Sequence, residues 1–184
     1  MSQSNLAYLS NYSIYSAMVL FTIAFFAHAI EVSFSVRNVE DKTKFDFSRT
    51  EKSGRIGTAM MVLGFLFLLV GVILRGASAH RVPWGNMYEF SITGALAFSG
   101  AYLVALKKYK LRWLGLPVSI AVLLTLGTAI TLLYRPSAPL VPALKSTWLA
   151  IHVSAAIASG GVFLLANCIA ATYLILERFE EKGA

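Results

Sequence analysis

Charged residues are scarce in this sequence. Of its 184 residues, 14% are charged and 57% are hydrophobic, whereas a soluble domain normally carries about a quarter of its residues as charged side chains. Cysteine is scarcer still: Cys168 stands alone, so neither an intramolecular disulfide nor a CxxC redox site can form within this chain. Residues 1–11 lack Lys and Arg, and with them the basic region of a signal peptide, so we expect the first apolar segment to be retained.

The apolar residues are concentrated in five blocks. These predict membrane-spanning helices at about residues 12–34, 56–74, 87–106, 113–134 and 147–176. Each block is near or above the roughly 17–25 residues that cross about 30 Å of hydrocarbon as a helix, and a helix satisfies its own backbone polar groups in lipid. The sequence therefore predicts an all-α polytopic membrane protein, with residues 1–184 in a single membrane domain.

The net charge of +7 is unevenly divided among the connections between these blocks. Twelve Lys and Arg residues lie in the stretches 37–55, 107–112 and 177–184, whereas the alternate connections hold four: Arg75, Arg81, Arg135 and Lys145. Because basic residues favour the cytoplasmic side, we expect the amino terminus outside and the carboxyl terminus in the cytoplasm. The bases form no patch interleaved with aromatic residues, so we expect no nucleic-acid partner.

Small residues recur in two of the predicted spans. Gly57, Gly64 and Gly71 are seven residues apart in the second span, and Ala156 and Gly160 form a small-xxx-small pair in the fifth. Such positions allow helix backbones to approach closely in lipid. We interpret both sets as packing devices.

Three histidines are the first candidates for chemistry, because an ionisable side chain in a span suggests a function by default. His28 lies roughly 24 Å below the outer start of its span, and Glu31 is one turn away, so a structural pair is the favoured interpretation. His152 lies only about 9 Å deep, too far from His28 to share one metal, which argues against a b-type cytochrome. His80, in an outer loop, is either an ordinary exposed histidine or a neighbour of His152. For His152 itself, haem-iron ligation and simple packing both remain open.

The first outer loop ends in the string VPWGNMYEF, residues 82–90. Trp84 and Tyr88 suit the membrane interface, where an amphipathic ring has one wet side. Asn86 is predicted to cap the third helix, with Glu89 in the first turn, where the helix dipole favours an anion.

The second outer loop, residues 135–153, reads RPSAPLVPALKSTWLAIHV. Its regularly spaced prolines favour an extended, polyproline-like segment. That segment leads into the helix that carries His152, with Trp148 one turn earlier on the same face.

Parts of these two loops resemble segments of a known protein family. Residues 82–90 resemble the outer-loop motif of the ResC/CcsA-type cytochrome c biogenesis proteins, the haem-handling family of system II. Residues 139–156, PLVPALKSTWLAIHVSAA, are similar to the stretch that leads into that family's first external haem-ligating histidine. Under a fifth of the chain is covered by the two strings. The resemblance implies that His152 is this axial ligand of the haem iron, and it gives no role to another histidine.

The resemblance also implies the function. Such a protein moves haem to the outer membrane face and presents it to apocytochrome c, where a thioether bond forms between each haem vinyl group and a Cys of a CxxCH sequence. It would be part of a cytochrome c synthase (haem lyase) complex, and its work is positioning, so no catalytic residue is assigned. Trp84, Tyr88 and Trp148 are candidates for lining the haem site, and Arg81 or Arg135 for meeting a haem propionate.

The implied partners are a ResB-type membrane protein, apocytochrome c and a thiol reductant of the thioredoxin-like type, with membrane lipid around the helices. The implied location is the plasma membrane of a bacterium or a thylakoid membrane.

One departure from the family pattern stands out. The tryptophan-rich WGxxWxWD motif and a second external histidine do not follow the fifth span, and no WxWD follows Trp84 and Gly85. We therefore expect this chain to be the amino-terminal part of a longer family domain, and to bind haem weakly or not at all by itself. Two alternatives remain: a non-catalytic membrane scaffold subunit, and a transporter of another substrate. Against the transporter, the sequence shows no pair of broken helices in matching halves.

Overall fold

The computed structural model describes residues 2–40, 47–109, 111–137 and 146–183, and side chains within 2–35, 50–109, 111–137 and 146–179. It contains five helices, which are α1 (Gln3–Glu40), α2 (Phe47–Ala79), α3 (Met87–Lys108), α4 (Gly115–Thr131) and α5 (Thr147–Gly183). A short 3-10 turn, Arg112–Leu114, precedes α4. No strand occurs among the described residues. All five helices are long and apolar enough to span a membrane, so the predicted all-α polytopic fold is confirmed.

The helix directions alternate along the chain. Near the start of α1, the Ser10 hydroxyl donates to the Gly71 carbonyl oxygen near the end of α2, at 2.7 Å. Towards the end of α1, His28 packs against Gly115 at the start of α4. Arg75 near the end of α2 pairs with Glu89 at the start of α3, and Trp84 before α3 shares a cavity with Ser154 early in α5. Consequently α1, α3 and α5 run one way, and α2 and α4 run the other. We name the two ends of the bundle after their buried carboxylates: the Glu89 end, where α1, α3 and α5 begin, and the Glu31 end.

Glycine controls the contact between α1 and α2. A methyl group added at Gly57, Gly64 or Gly71 would lie 2.8, 3.1 or 2.7 Å from the side chain of His28, Phe21 or Ile14 on α1. Two of these distances are below 3 Å, which real Cβ atoms essentially never show, and the distance at Gly64 is tight. The two backbones therefore approach closely because these positions lack a Cβ. The predicted packing role of the three glycines is confirmed.

Helix α5 is packed less tightly than the others. In its most apolar stretch of 18 residues, only 17% of the residues are buried, whereas 33–39% are buried in the corresponding stretches of the other four spans. Gly160 has nothing within 4 Å of an added methyl group, whereas the same group at Gly161 would lie 2.8 Å from the Ala97 backbone on α3. Among the described residues it is therefore Gly161 that brings α5 close to α3, because the helix turns Gly161 towards its neighbour. The packing role of Ala156 and Gly160 stays a prediction.

Local signals explain where α2 ends and α3 begins. His80 has a left-handed backbone with a φ of 50°. The amides of His80 and Arg81 return to the carbonyl oxygens of Ala77 and Gly76, which is the hydrogen-bond pattern of a Schellman motif. Asn86 then caps α3 by accepting a 2.9 Å hydrogen bond from the Glu89 amide, as the sequence predicts. The predicted polyproline-like segment falls mainly on residues 138–145, outside the described residues.

Candidate functional site

Glu89 is the centre of a buried ionic cluster between α2 and α3. Its side chain is fully buried and accepts from Arg75 Nε at 3.2 Å and from Arg81 Nη1 at 2.6 Å. The Gly85 amide donates a further hydrogen bond at 2.9 Å. A carboxylate can be buried only if its charge and lone pairs are met in this way. The cluster therefore fixes the loop 80–86 against the end of α2.

Arg75 is the member of this cluster whose role was not predicted from the sequence. The sequence places it in a connection just beyond the second span, whereas α2 continues to Ala79 and buries Arg75 to 1% exposure. Its guanidinium group lies 5.1 Å from the centre of the Tyr88 ring, a cation–π arrangement. The only sequence signal was an acidic residue, Glu89, in the first turn of the next helix.

Aromatic and polar side chains extend the cluster towards α1 and the end of α4. Tyr88 is buried and packs edge to face against Tyr134 with ring centres 5.2 Å apart. The Tyr134 hydroxyl accepts a 3.0 Å hydrogen bond from the Asn11 amide, and the Arg135 carbonyl oxygen accepts one from Arg75 Nη2. Tyr88, a predicted lining residue, thus lies beside Arg75, and Arg135 enters through its backbone.

The remaining candidates for haem binding lie on or near α5. His152 is exposed, and Trp148, one turn earlier, is 80% exposed. Trp84 is half-buried and lines a cavity of about 300 Å³ that also contains Ser154 of α5. The structure therefore brings Trp84 to the first turns of α5, and it presents the imidazole of His152 to the surroundings. An accessible imidazole is a chemically suitable axial ligand for a haem iron.

His28 belongs to a second cluster, at the Glu31 end. It is 1% exposed, and its Nδ1 lies 3.0 Å from Glu31 Oε2, as the i to i+3 spacing predicts. Glu31 Oε1 also accepts a 2.6 Å hydrogen bond from Arg112 Nε. Methyl groups added at Gly57 and Gly115 would lie 2.8 Å and 2.5 Å from the ring, so the imidazole fills a space that the two glycines leave. This cluster supports a structural role.

Comparisons with known proteins agree with the family resemblance of residues 82–90 and 139–156. A family model described as "Cytochrome C assembly protein" matches residues 84–183. Proteins named cytochrome c biogenesis protein CcsA are 31% identical over 131 residues in Marchantia polymorpha, 28% over 138 in Synechococcus sp. (strain JA-3-3Ab) and 34% over 139 in Chlorella vulgaris. These alignments cover 70%, 73% and 74% of this chain but only 41%, 40% and 42% of the relatives.

The chain therefore spans about two fifths of the length of these curated relatives. No solved structure matches. The matched segment begins at Trp84 and contains α3, α4 and α5 with His152. The resemblance to ResC/CcsA-type proteins is confirmed. The chain belongs to the cytochrome c assembly protein family.

Proposed function

We propose that this membrane protein works in cytochrome c biogenesis by holding haem at the outer membrane face and presenting it to apocytochrome c. The observation that carries the proposal is the family match over residues 84–183, which includes the exposed His152. The charge bias along the chain supports an orientation in which the Glu89 end faces outward. His152, near the start of α5, then lies on the side where cytochrome c is assembled.

Within this proposal, His152 supplies one axial ligand to the haem iron. Trp148, one helical turn away, offers an exposed aromatic ring beside the porphyrin. Trp84 bounds the same region from the loop before α3. These residues bind and orient the substrate, and the thioether bond itself forms when a cysteine S–H adds across a haem vinyl group. Proximity and orientation are the contribution of this chain to that step.

The proposed partners follow from the same reaction. Apocytochrome c supplies the CxxCH cysteines, which must be thiols for the addition, so a thioredoxin-like reductant is needed. A ResB-type membrane protein would complete the complex. The mainly exposed apolar surface of α5 suits contact with lipid and with such a partner. The proposed location is the plasma membrane of a bacterium or a thylakoid membrane.

A haem spectrum tests the proposal. The protein is purified from its native membrane together with its associated chains, and its Soret and axial-ligation bands are recorded for wild type and for His152→Ala. We expect the variant to lose the imidazole-ligated form. His80→Ala is the matched control, because His80 is another exposed histidine at the same end of the bundle, and this variant should keep the wild-type spectrum.

Two results would contradict the proposal. One is a wild-type preparation that binds no haem, which would favour a scaffold subunit and would fit the large exposed surface of α5. The other is a His152→Ala variant with unchanged axial ligation, which would move the iron site elsewhere.

A further inference from the structure

A polar pocket opens beside the buried Arg75 at the Glu89 end. Its volume is about 440 Å³, and the residues that matter for its chemistry are Ser4, Asn11, Arg75, Ser78, Tyr134 and Ser137. The pocket lies between the start of α1, the end of α2 and the segment after α4. Except for Tyr134 and the following residues, it is built from parts of the chain that precede the family match at Trp84.

Arg75 is incompletely paired. Its Nε donates to Glu89 and its Nη2 to the Arg135 carbonyl oxygen, but its buried Nη1 has no hydrogen-bond partner among the described residues. A buried donor without a partner is costly, and more so when the group is charged. The Tyr88 ring contacts the face of the guanidinium group, and this contact provides no acceptor for the hydrogens on Nη1. Arg75 therefore retains capacity to donate to one more acceptor.

The position of Arg75 also suggests a function. Arg75 lies in a helix of membrane-spanning length and composition, where an ionisable residue is expected to serve a function. An anion beside Arg75 would supply the acceptor that its Nη1 lacks among the described residues.

The other groups around the pocket suit a small anionic group. A water molecule occupies about 30 Å³ in the liquid, so a pocket of about 440 Å³ has room for more than a single bridging water. The Ser137 hydroxyl lies 3.1 Å from the Ser78 hydroxyl, and it needs only a rotation to donate to a ligand instead.

We propose that this pocket binds a carboxylate, with Arg75 as the charged donor and Ser137 as a neutral one. Guanidinium groups favour carboxylates because the donor and acceptor geometries match. The carboxylate has two possible sources, a propionate side chain of haem or a small free carboxylate, and the first of these rests on the proposed function.

The test adds a carboxylate to the pocket by mutation. Ser137→Asp supplies a carboxylate from within the chain, and Ser137→Asn is its neutral control of nearly equal size. For both variants and wild type, the unfolding temperature is measured in sodium acetate and in sodium chloride at equal ionic strength. Haem affinity is compared with that for haem dimethyl ester, in which both propionates are blocked.

We expect acetate to raise the unfolding temperature of wild type and of Ser137→Asn above the chloride value, with no such rise in Ser137→Asp. If a propionate is the ligand, Ser137→Asp should also weaken haem binding about 10-fold to 100-fold relative to Ser137→Asn, without changing the affinity for the dimethyl ester. Either the acetate effect or the haem effect supports the carboxylate site.

The inference is overturned if acetate acts like chloride on wild type and both Ser137 variants bind haem as wild type does. That result leaves the role of His152 untouched. Conversely, an acetate effect that Ser137→Asp removes, in a protein that binds no haem, would support the pocket and contradict the proposed function.

Discussion

Each end of the bundle is held by a carboxylate that joins two helices, but the two clusters differ in charge and exposure. At the Glu89 end, a fully buried carboxylate meets two guanidinium groups and a backbone amide. At the Glu31 end, the carboxylate meets one imidazole and one guanidinium group, and the Arg112 side chain is 39% exposed. The side chains of the first cluster are 0–13% exposed, whereas the second includes an arginine that reaches water.

The difference bears on function. Each cluster leaves one buried nitrogen without a hydrogen-bond partner among the described residues, Arg75 Nη1 at the Glu89 end and His28 Nε2 at the Glu31 end. Arginine keeps its charge under all physiological conditions, so the nitrogen left over at the Glu89 end belongs to a permanent cation. The Glu89 end therefore offers a buried charged donor to an anion, whereas the Glu31 end leaves an imidazole nitrogen.

Removing the two carboxylates in turn should give the largest contrast. Glu89→Gln leaves the buried Arg75 without its ionic partner, and loss of one member of a buried pair costs about 3–5 kcal/mol. Glu31→Gln leaves an arginine that can reach water, so we expect a loss of about 1–2 kcal/mol. Reversible unfolding in detergent measures both. Equal losses for the two variants would remove the distinction between the ends.

Filling the glycine space around His28 should have the next largest effect. Gly115→Ala places a methyl group 2.5 Å from the imidazole ring, and overpacking of this kind costs about 1–3 kcal/mol. Gly127→Ala, on the same helix but with nothing within 4 Å, is the control and should be neutral or slightly stabilising. His28→Ala should relieve the Gly115→Ala variant in a double-mutant cycle. Additive losses would show that the ring and the glycine do not interact.

The smallest effect should come from the helix cap beside Glu89. Asn86→Ala removes the side chain that accepts from the Glu89 amide, and such caps contribute about 1 kcal/mol. The corresponding residue at the Glu31 end, Leu114 before α4, makes no side-chain cap. Asn86→Ser keeps an oxygen that can accept from the Glu89 amide, so it is the control and should lose less stability. If Asn86→Ala causes no loss of stability, the ionic cluster alone positions Glu89.

Features encoded by local spacing were predictable from the sequence. They include the five helices, the Asn86 cap, the His28–Glu31 pair at i to i+3 and the seven-residue glycine spacing on α2. Each depends on residues within one or two helical turns, where geometry is fixed by the helix itself.

Features that depend on how helices meet were not predictable. Arg112 lies 81 residues from Glu31, and the Gly115 contact with His28 requires α4 to pack on α1. Arg75 was assigned to a connection because a charge normally ends a span, and only its partner Glu89 makes its burial possible. Gly160 and Gly161 are adjacent, and the choice between them depends on the rotation of α5.

The most direct test of the proposed haem site removes the His152 side chain and returns its chemistry from solution. We expect His152→Gly to lose the imidazole-ligated haem spectrum and to regain it when free imidazole is added, because imidazole from solution can reach the exposed position and replace the missing side chain. Retention of the wild-type spectrum by His152→Gly without imidazole would contradict the assignment of His152 as an axial ligand.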